Sequence, residues 1–118
     1  MEAMDPLHLG LGNLAQLSHA RTRSISAENP TGAKGRGGMA TSGDEDEYAR
    51  DLGQGWKVSP SVFVPPHGAL TLADIEGPGA IQSIWMTMMG TWRFAILRMY
   101  WDGEETPSVE VPLGDFFC

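Results

Sequence analysis

The 118-residue chain has one cysteine, Cys118, so no internal disulfide can form, and a disulfide-rich secreted scaffold is disfavoured. Basic residues are scarce. Eight Lys plus Arg against fifteen Asp plus Glu leave a formal charge of -7, which disfavours nucleic acid as a partner, because phosphate binding depends on clustered cations. No stretch approaches the roughly eighteen consecutive apolar residues of a membrane span. Leu7, Leu9, Leu11, Leu14 and Leu17 enrich the first twenty residues, but Asp5, His8 and Asn13 interrupt them and no basic segment precedes them. That is a poor signal peptide, so a cytoplasmic location and no membrane partner are the expectation. His8, His19 and His67 have no ligand spacing with one another or with Cys118, and neither a metal nor any other cofactor is expected. Ser24, Ser26 and Ser42 lack the strand-turn-helix context of an activated nucleophile.

What is there divides into three regions: an N-terminal segment at 1–20, a glycine-rich and acidic loop region at 21–55, and sheet-forming sequence at 56–118. In the first, the leucines at roughly helical spacing predict a short amphipathic helix around 13–20, with Asn13 as its N-cap. Gly10 and Gly12 weaken the sequence before it, and two turns of helix need something to pack against.

The second region changes character. Residues 24–43 contain five glycines and Pro30, which excludes a regular helix or a central strand. Asn29-Pro30 starts a turn and biases Asn29 toward extended backbone. Two readings stay open for this stretch: a flexible linker, or an ordered loop whose glycines let backbone amides approach a ligand. The spacing fits neither a Walker loop nor a dinucleotide fingerprint, since no strand precedes it and no helix follows. Arg21, Arg23, Lys34 and Arg36 stand here against Glu28 alone, a basic stretch read as a solvated segment or sugar-facing loop in preference to a phosphate-binding one, and 44–47 then supply four acids in a row, read as a solvated turn without the ligand alternation of a calcium loop. Tyr48, Leu52 and Trp56 recur every four residues and would share one face of a short helix.

From Trp56 onward the period becomes two. Val58, Val62 and Val64 read as extended chain, which Pro60, Pro65 and Pro66 confine to an edge or a wrapping loop. Strands are predicted at 69–75, 81–89, 93–102 and 108–113, joined by turns at 77–79, 90–91 and 102–107. The strand at 93–102 is apolar on both faces, which predicts a central position. The last strand points Val109, Val111 and Leu113 inward and Ser108 and Glu110 outward. No crossover helix separates these strands, so the fold class expected is mainly β: antiparallel, a partial jelly-roll β-sandwich with a short N-terminal helix. A jelly roll takes about eight strands, and this segment supplies roughly half. The apolar ending at Phe116 and Phe117, with no closing strand, reads as truncation.

The chemistry-bearing residues are few. Asp74 and Glu76 fall on one strand face beside a turn. Asp102, Glu104 and Glu105 cluster in a hairpin loop at the mouth of the sheet, where binding residues often lie, though solvated turn residues look the same in sequence. Trp56, Trp85, Trp92 and Trp101 offer flat apolar faces suited to sugar C–H groups, and strand positions suit Trp85 and Trp101 equally to core packing.

Three blocks together resemble one family. RTRSISAENPTGAKGRGG at 21–38, GWKVSPSVFVPPHGALTLADIEGPGAIQSIWMT at 55–87 and, most specific, ILRMYWDGEETPSVEVPLGDFFC at 96–118 resemble the N-terminal part of glycoside hydrolase family 172, formerly domain of unknown function 2961. That family includes difructose-anhydride enzymes and α-fructofuranosidases or arabinofuranosidases. The resemblance implies a jelly-roll core in an oligomeric parent about three times this length, hence a carbohydrate ligand and a homo-oligomer as partners. It also implies that the nucleophile and the acid/base lie beyond Cys118, so that no catalytic residue is assigned here and the fragment is inactive alone. The loop at 24–38 resembles the family's substrate-side loop, which makes Glu28, Asn29 and Arg36 candidates for sugar contacts, with Asp102 and Glu105 in the YWDGEE block as weaker ones. Where many relatives open with Ser-Ser-Tyr-Asp, this chain has Ser24-Ile25-Ser26-Ala27-Glu28. Alternative expectations are a carbohydrate-binding or structural β-sandwich module, and a gene fragment without function.

Overall fold

Hydrogen bonds across a strand pair form only where two extended segments run side by side, and one pair of the predicted strands does so. In a computed structural model, residues 17, 19–42, 50–56 and 58–117 are described. They belong to two compact units, Met1–Ala80 and Ile81–Cys118.

The second unit is built on an antiparallel hairpin of β1 (Ile96–Met99) and β2 (Val109–Pro112). Its register sets Ile96 opposite Pro112, Leu97 opposite Val111, Arg98 opposite Glu110 and Met99 opposite Val109. Because side chains alternate across a strand, Leu97, Met99, Val109 and Val111 share one half-buried face. Arg98 and Glu110 meet on the other, where their side chains form an ion pair. The ladder is extended at both ends by Ser108 donating to the Met99 carbonyl at 2.9 Å and Leu113 donating to the Ala95 carbonyl at 2.8 Å. At the tip, Glu104 donates to the Trp101 carbonyl at 2.9 Å, and Asp102 and Gly103 both have positive φ, 51° and 76°. Positive φ at both central residues is the signature of a type I′ turn, which lies within the connection at 100–108 between β1 and β2.

A 3-10 turn at Trp92–Phe94 leads into β1, and a single helical turn, α1 (Leu113–Phe116), follows β2. They are tied by Arg93, whose Nε donates to Asp115 Oδ1 at 2.9 Å. Gly114 sits against Trp92, and a Cβ there would lie 3.0 Å from the Trp92 Cβ. Phe116 and Phe117 pack edge to face, centroids 5.1 Å apart at 88°, so the apolar ending is partly folded on itself.

The first unit has little regular structure among its described residues. A 3-10 turn spans Arg50–Leu52, and Val58, 1% exposed, is the buried apolar side chain around which the loop segments gather. Pro65, Pro66, His67 and Gly68 make a turn closed by Gly68 donating to the Pro65 carbonyl at 2.9 Å, with His67 at φ 60°. Gly68 is required by space, since a Cβ would come within 2.8 Å of the Pro65 ring.

The strands at 108–113 and 93–102 thus exist in shortened form, with the first residues of the latter in a 3-10 turn. The others need correction. Residues 69–75 and 81–89 run without strand pairing, because alternation favours extended backbone but a strand also requires a neighbour to accept its hydrogen bonds. At 84–89 the period of two survives in burial alone: Ile84, Met86 and Met88 are half-buried, and Trp85, Thr87 and Met89 are exposed. β1 is not central here, because it pairs with β2 alone among the described residues and leaves Ile96 and Arg98 exposed. The predicted helix at 13–20 falls mostly outside the described residues; Leu17, His19 and Ala20, which are described, are not helical. The acidic run at 44–47, Tyr48 and Cys118 also lie outside them. Leu52 ends a 3-10 turn rather than lying on an α-helical face, and Trp56 is exposed, as two glycines between them would require.

Candidate functional site

The glycine-rich segment is an ordered loop, and Asn29 is the reason. Its backbone exchanges hydrogen bonds with Ser26: Ser26 donates to the Asn29 carbonyl at 3.1 Å, and Asn29 donates to the Ser26 carbonyl at 2.9 Å. Gly32 donates to the same Asn29 carbonyl at 3.1 Å. The side chain then closes a second ring. Its Nδ2 donates to the carbonyls of Ala33 at 3.0 Å and Ser24 at 3.4 Å, and its Oδ1 accepts from the Ala33 amide at 3.1 Å. Buried to 6% exposure, this side chain leaves no polar atom without a partner, as burial demands. Asparagine suits the place because its amide both donates and accepts, and Pro30 after it holds the turn.

Three further contacts fasten the loop. The Ser59 amide donates to Glu28 Oε1, so the carboxylate anchors the chain next to buried Val58. Gly55 donates to the Gly38 carbonyl at 2.9 Å, and Gln54 Nε2 to the Met39 carbonyl at 3.0 Å. Gly32 has φ 62°, and a Cβ there would sit 3.1 Å from Ile25 Cγ1, so both its backbone angle and its surroundings call for glycine.

Against this scaffold lies an open cavity of about 260 Å³, whose lining includes Thr22, Arg23, Ser24, Ser26, Asn29 and Lys34. Of the sugar-contact candidates, Asn29 lines it and Glu28 is its sequence neighbour. Arg36 is exposed and off the lining, its amide donating to the Ala33 carbonyl at 3.3 Å. Arg23 and Lys34 on the wall were not singled out from sequence, although the excess of cations at 21–36 carried the signal. Both are exposed.

The other candidates are at the hairpin tip of the second unit. Asp102 occupies the first central position of the type I′ turn, and Glu105 is exposed just past it. Glu104 accepts a hydrogen bond from Ser108 Oγ at 2.9 Å. Glu110 and Asp115 are bound to Arg98 and Arg93. Arg98 is held above its usual pKa, first by its hydrogen bond to Glu110 and then by the charge of that carboxylate. Asp74 and Glu76 are exposed on unpaired chain. Among the described residues no group of three or more His, Cys, Asp or Glu side chains could hold a metal ion, and no helix is long and apolar enough to cross a membrane.

The arrangement offers a polar, cation-rimmed cavity in one unit and a turn with free carboxylates in the other. Comparison with known proteins gives the family. No curated protein matches the sequence. The model of the first β-sandwich domain of glycoside hydrolase family 172 matches residues 36–118, well over half of the chain. This match takes in β1, β2, α1 and the predicted strands before them, and agrees with the antiparallel pairing seen here. The chain belongs to glycoside hydrolase family 172 and carries its first β-sandwich domain.

Proposed function

We propose that this chain is the sugar-facing scaffold of a furanoside hydrolase, acting on fructo- or arabinofuranosides, in which the loop at 22–37 forms one wall of the pocket. The observation that carries the reading is the family match over residues 36–118, together with a loop that is held rigid around a polar cavity directly before it. The sandwich in this reading is of jelly-roll type. The hydrolytic carboxylates belong to other parts of the parent protein, and the chain alone is inactive. Retaining hydrolysis needs two carboxyl groups about 5 to 5.5 Å apart, one attacking the anomeric carbon and one protonating the leaving oxygen. Four of the described carboxylates are engaged in the fold, Glu28 on the Ser59 amide, Glu104 on Ser108, Glu110 and Asp115 on arginines, while Asp74, Glu76, Asp102 and Glu105 are exposed.

Rigidity is what a binding wall requires, because hydroxyl contacts held in place cost less ordering entropy when the sugar arrives. In the same proposal the parent is a homo-oligomer, a reading supported by the exposed Val62, Phe63, Val64, Leu70, Leu72 and Ile75 of the first unit, an apolar surface of the kind that another chain covers. A cytoplasmic location completes it. The test is incubation of the purified 118-residue chain with fructofuranosides and arabinofuranosides; measurable hydrolysis overturns the assignment of the carboxylates to other parts of the parent.

A second reading, a carbohydrate-binding module, is favoured by Trp85 and Trp101, which are 80% and 45% exposed. Buried rings would have favoured pure scaffold, whereas exposed ones can stack on sugar faces. Loss of polysaccharide retention on a Trp101→Ala change, with the hairpin intact, would support it.

A further inference from the structure

The lining of the cavity beside Asn29 carries two cationic side chains, Arg23 and Lys34, and no carboxylate. Asn29 Oδ1 on the wall takes the Ala33 amide, and Glu28, which is off the lining, turns its Oε1 to the Ser59 amide. What remains on the wall is the Arg23 guanidinium, the Lys34 ammonium and the hydroxyls of Thr22, Ser24 and Ser26. Arg23 spends one terminal nitrogen on the neighbouring Thr22 carbonyl at 2.9 Å, which orients the group and leaves its other N–H donors available. Among the described residues Lys34 makes no ion pair or side-chain hydrogen bond.

Charge placement strengthens the point. The chain carries a formal -7, yet Arg21, Arg23, Lys34 and Arg36 fall together at 21–36 with Glu28 as the one acid. Such a concentration acts over short range, since screening at physiological salt limits exposed charges to about 8 Å. The hydroxyls of Thr22, Ser24 and Ser26 both donate and accept and suit the hydroxyls of any sugar, so the two cations decide between a neutral and an anionic ligand. A wall of cationic donors fits an anion, and guanidinium geometry fits carboxylate or phosphate oxygens in pairs. The three hydroxyls distinguish the site from a bare anion hole. At about 260 Å³ it lies just under the range of about 300–1,000 Å³ typical of sites for larger ligands, a size for one sugar ring.

We propose that this cavity binds an acidic monosaccharide unit, a sugar carrying a carboxylate or phosphate, with the anionic group on Arg23 and Lys34 and the ring hydroxyls on Thr22, Ser24 and Ser26. The inference rests on the sugar-binding reading of the loop and specifies its ligand as anionic. The test is titration of the full 118-residue chain, followed by NMR at the amides of 22–37, with four probes: glucuronate, glucose, fructose 6-phosphate and fructose, with inorganic phosphate as a fifth. The expected result is that each acidic sugar binds at least about fivefold more tightly than its neutral counterpart, as two partly exposed cation contacts provide. Both acids should also bind more tightly than phosphate alone, and the preference should vanish in Arg23→Gln/Lys34→Gln. These side chains are exposed, so the exchange gives up the Arg23–Thr22 contact and leaves the Asn29 hydrogen bonds in place, which unchanged Ala33 amide protection would verify. Preference for glucuronate alone would assign a sugar carboxylate, and for fructose 6-phosphate alone a sugar phosphate; either supports the proposal. Equal binding of neutral and acidic sugars, a preference that survives the double change, or phosphate matching the sugar phosphate would overturn it. Binding of neutral sugars only would sink this inference and spare the sugar reading, whereas no binding by any sugar would remove both.

Discussion

Asn29 holds Ala33 from both sides, its Nδ2 donating to the Ala33 carbonyl at 3.0 Å and its Oδ1 accepting from the Ala33 amide at 3.1 Å. A side-chain amide can make this two-way clasp and a carboxylate cannot, since an ionised carboxylate only accepts. Asn29→Asp is therefore expected to lose the donor half and Asn29→Ala both halves. Ala33 itself is exposed, so water takes over its freed groups and each lost bond costs about 0.5–1.5 kcal/mol. Hydrogen exchange at Ala33 should accelerate correspondingly in Asn29→Ala, and less in Asn29→Asp. Unchanged exchange in both would mean that the loop is held by something else.

Gly32 and Gly68 are expected to resist alanine for different reasons. Gly32 combines φ 62° with a Cβ position 3.1 Å from Ile25 Cγ1, and positive φ alone costs an alanine about 1–2 kcal/mol. At Gly68 the obstacle is the Pro65 ring and carbonyl, at 2.8 and 2.9 Å, which a rigid proline cannot move aside. Gly68→Ala should thus break the Gly68–Pro65 hydrogen bond, read as loss of amide protection at that residue, while His67→Gly should tighten the same turn by relieving the positive φ of a non-glycine residue.

Asp102 is a turn residue before it is anything else. At φ 51° followed by Gly103 at 76°, its backbone suits Asp, Asn or Gly and disfavours β-branched side chains. Asp102→Val is expected to destabilise the hairpin by about 1–2 kcal/mol, and Asp102→Asn to leave it within about 0.5 kcal/mol of the parent. Cross-strand contacts between Leu97 and Val111 report the outcome. A large loss in Asp102→Asn would indicate that the carboxylate, rather than the backbone, holds the tip.

The Arg98–Glu110 pair lies at a register position of the hairpin with both side chains about half exposed. Its attraction is screened by water and salt, so Arg98→Met is expected to change hairpin stability little and to reduce its salt sensitivity to what the Arg93–Asp115 pair contributes. The raised pKa of Arg98 gives a definite sign. A cation favoured in the folded state stabilises fully below its unfolded pKa and loses that contribution as the pH rises through the folded value. For an arginine that window is strongly alkaline. A stability change near neutral pH that disappears with Arg98→Met would contradict this.

How much of this was legible in the residues differs by segment. β2 was readable because Val109 and Val111 alternate with Glu110, and the turn before β2 because Asp102-Gly103 admits positive φ. For 69–75 and 81–89 the same alternation was present, but pairing is a property of two segments, and nothing in Leu70, Leu72 or Ile84 names a partner. Glycine content at 24–43 allowed both a linker and an ordered loop. The decision rests on six hydrogen bonds made by Asn29, of which the dipeptide Asn29-Pro30 shows only the turn. Glu28 and Asn29 were located correctly as loop positions, yet their engagement with Ser59 and Ala33 depends on contacts that no local pattern encodes. Arg23 and Lys34, about 36 Å apart along a fully extended chain of eleven residues at about 3.3 Å per residue, come onto one wall because the loop folds back through Asn29.

The account's central claim is that the chain supplies a sugar-facing wall without hydrolytic groups. NMR titration of the purified chain with a methyl fructofuranoside tests both halves in one measurement. The expected result is weak saturable shifts at the amides of 22–37 with the glycoside signals unchanged. Appearance of free fructose, or shifts that leave the loop untouched, would contradict it.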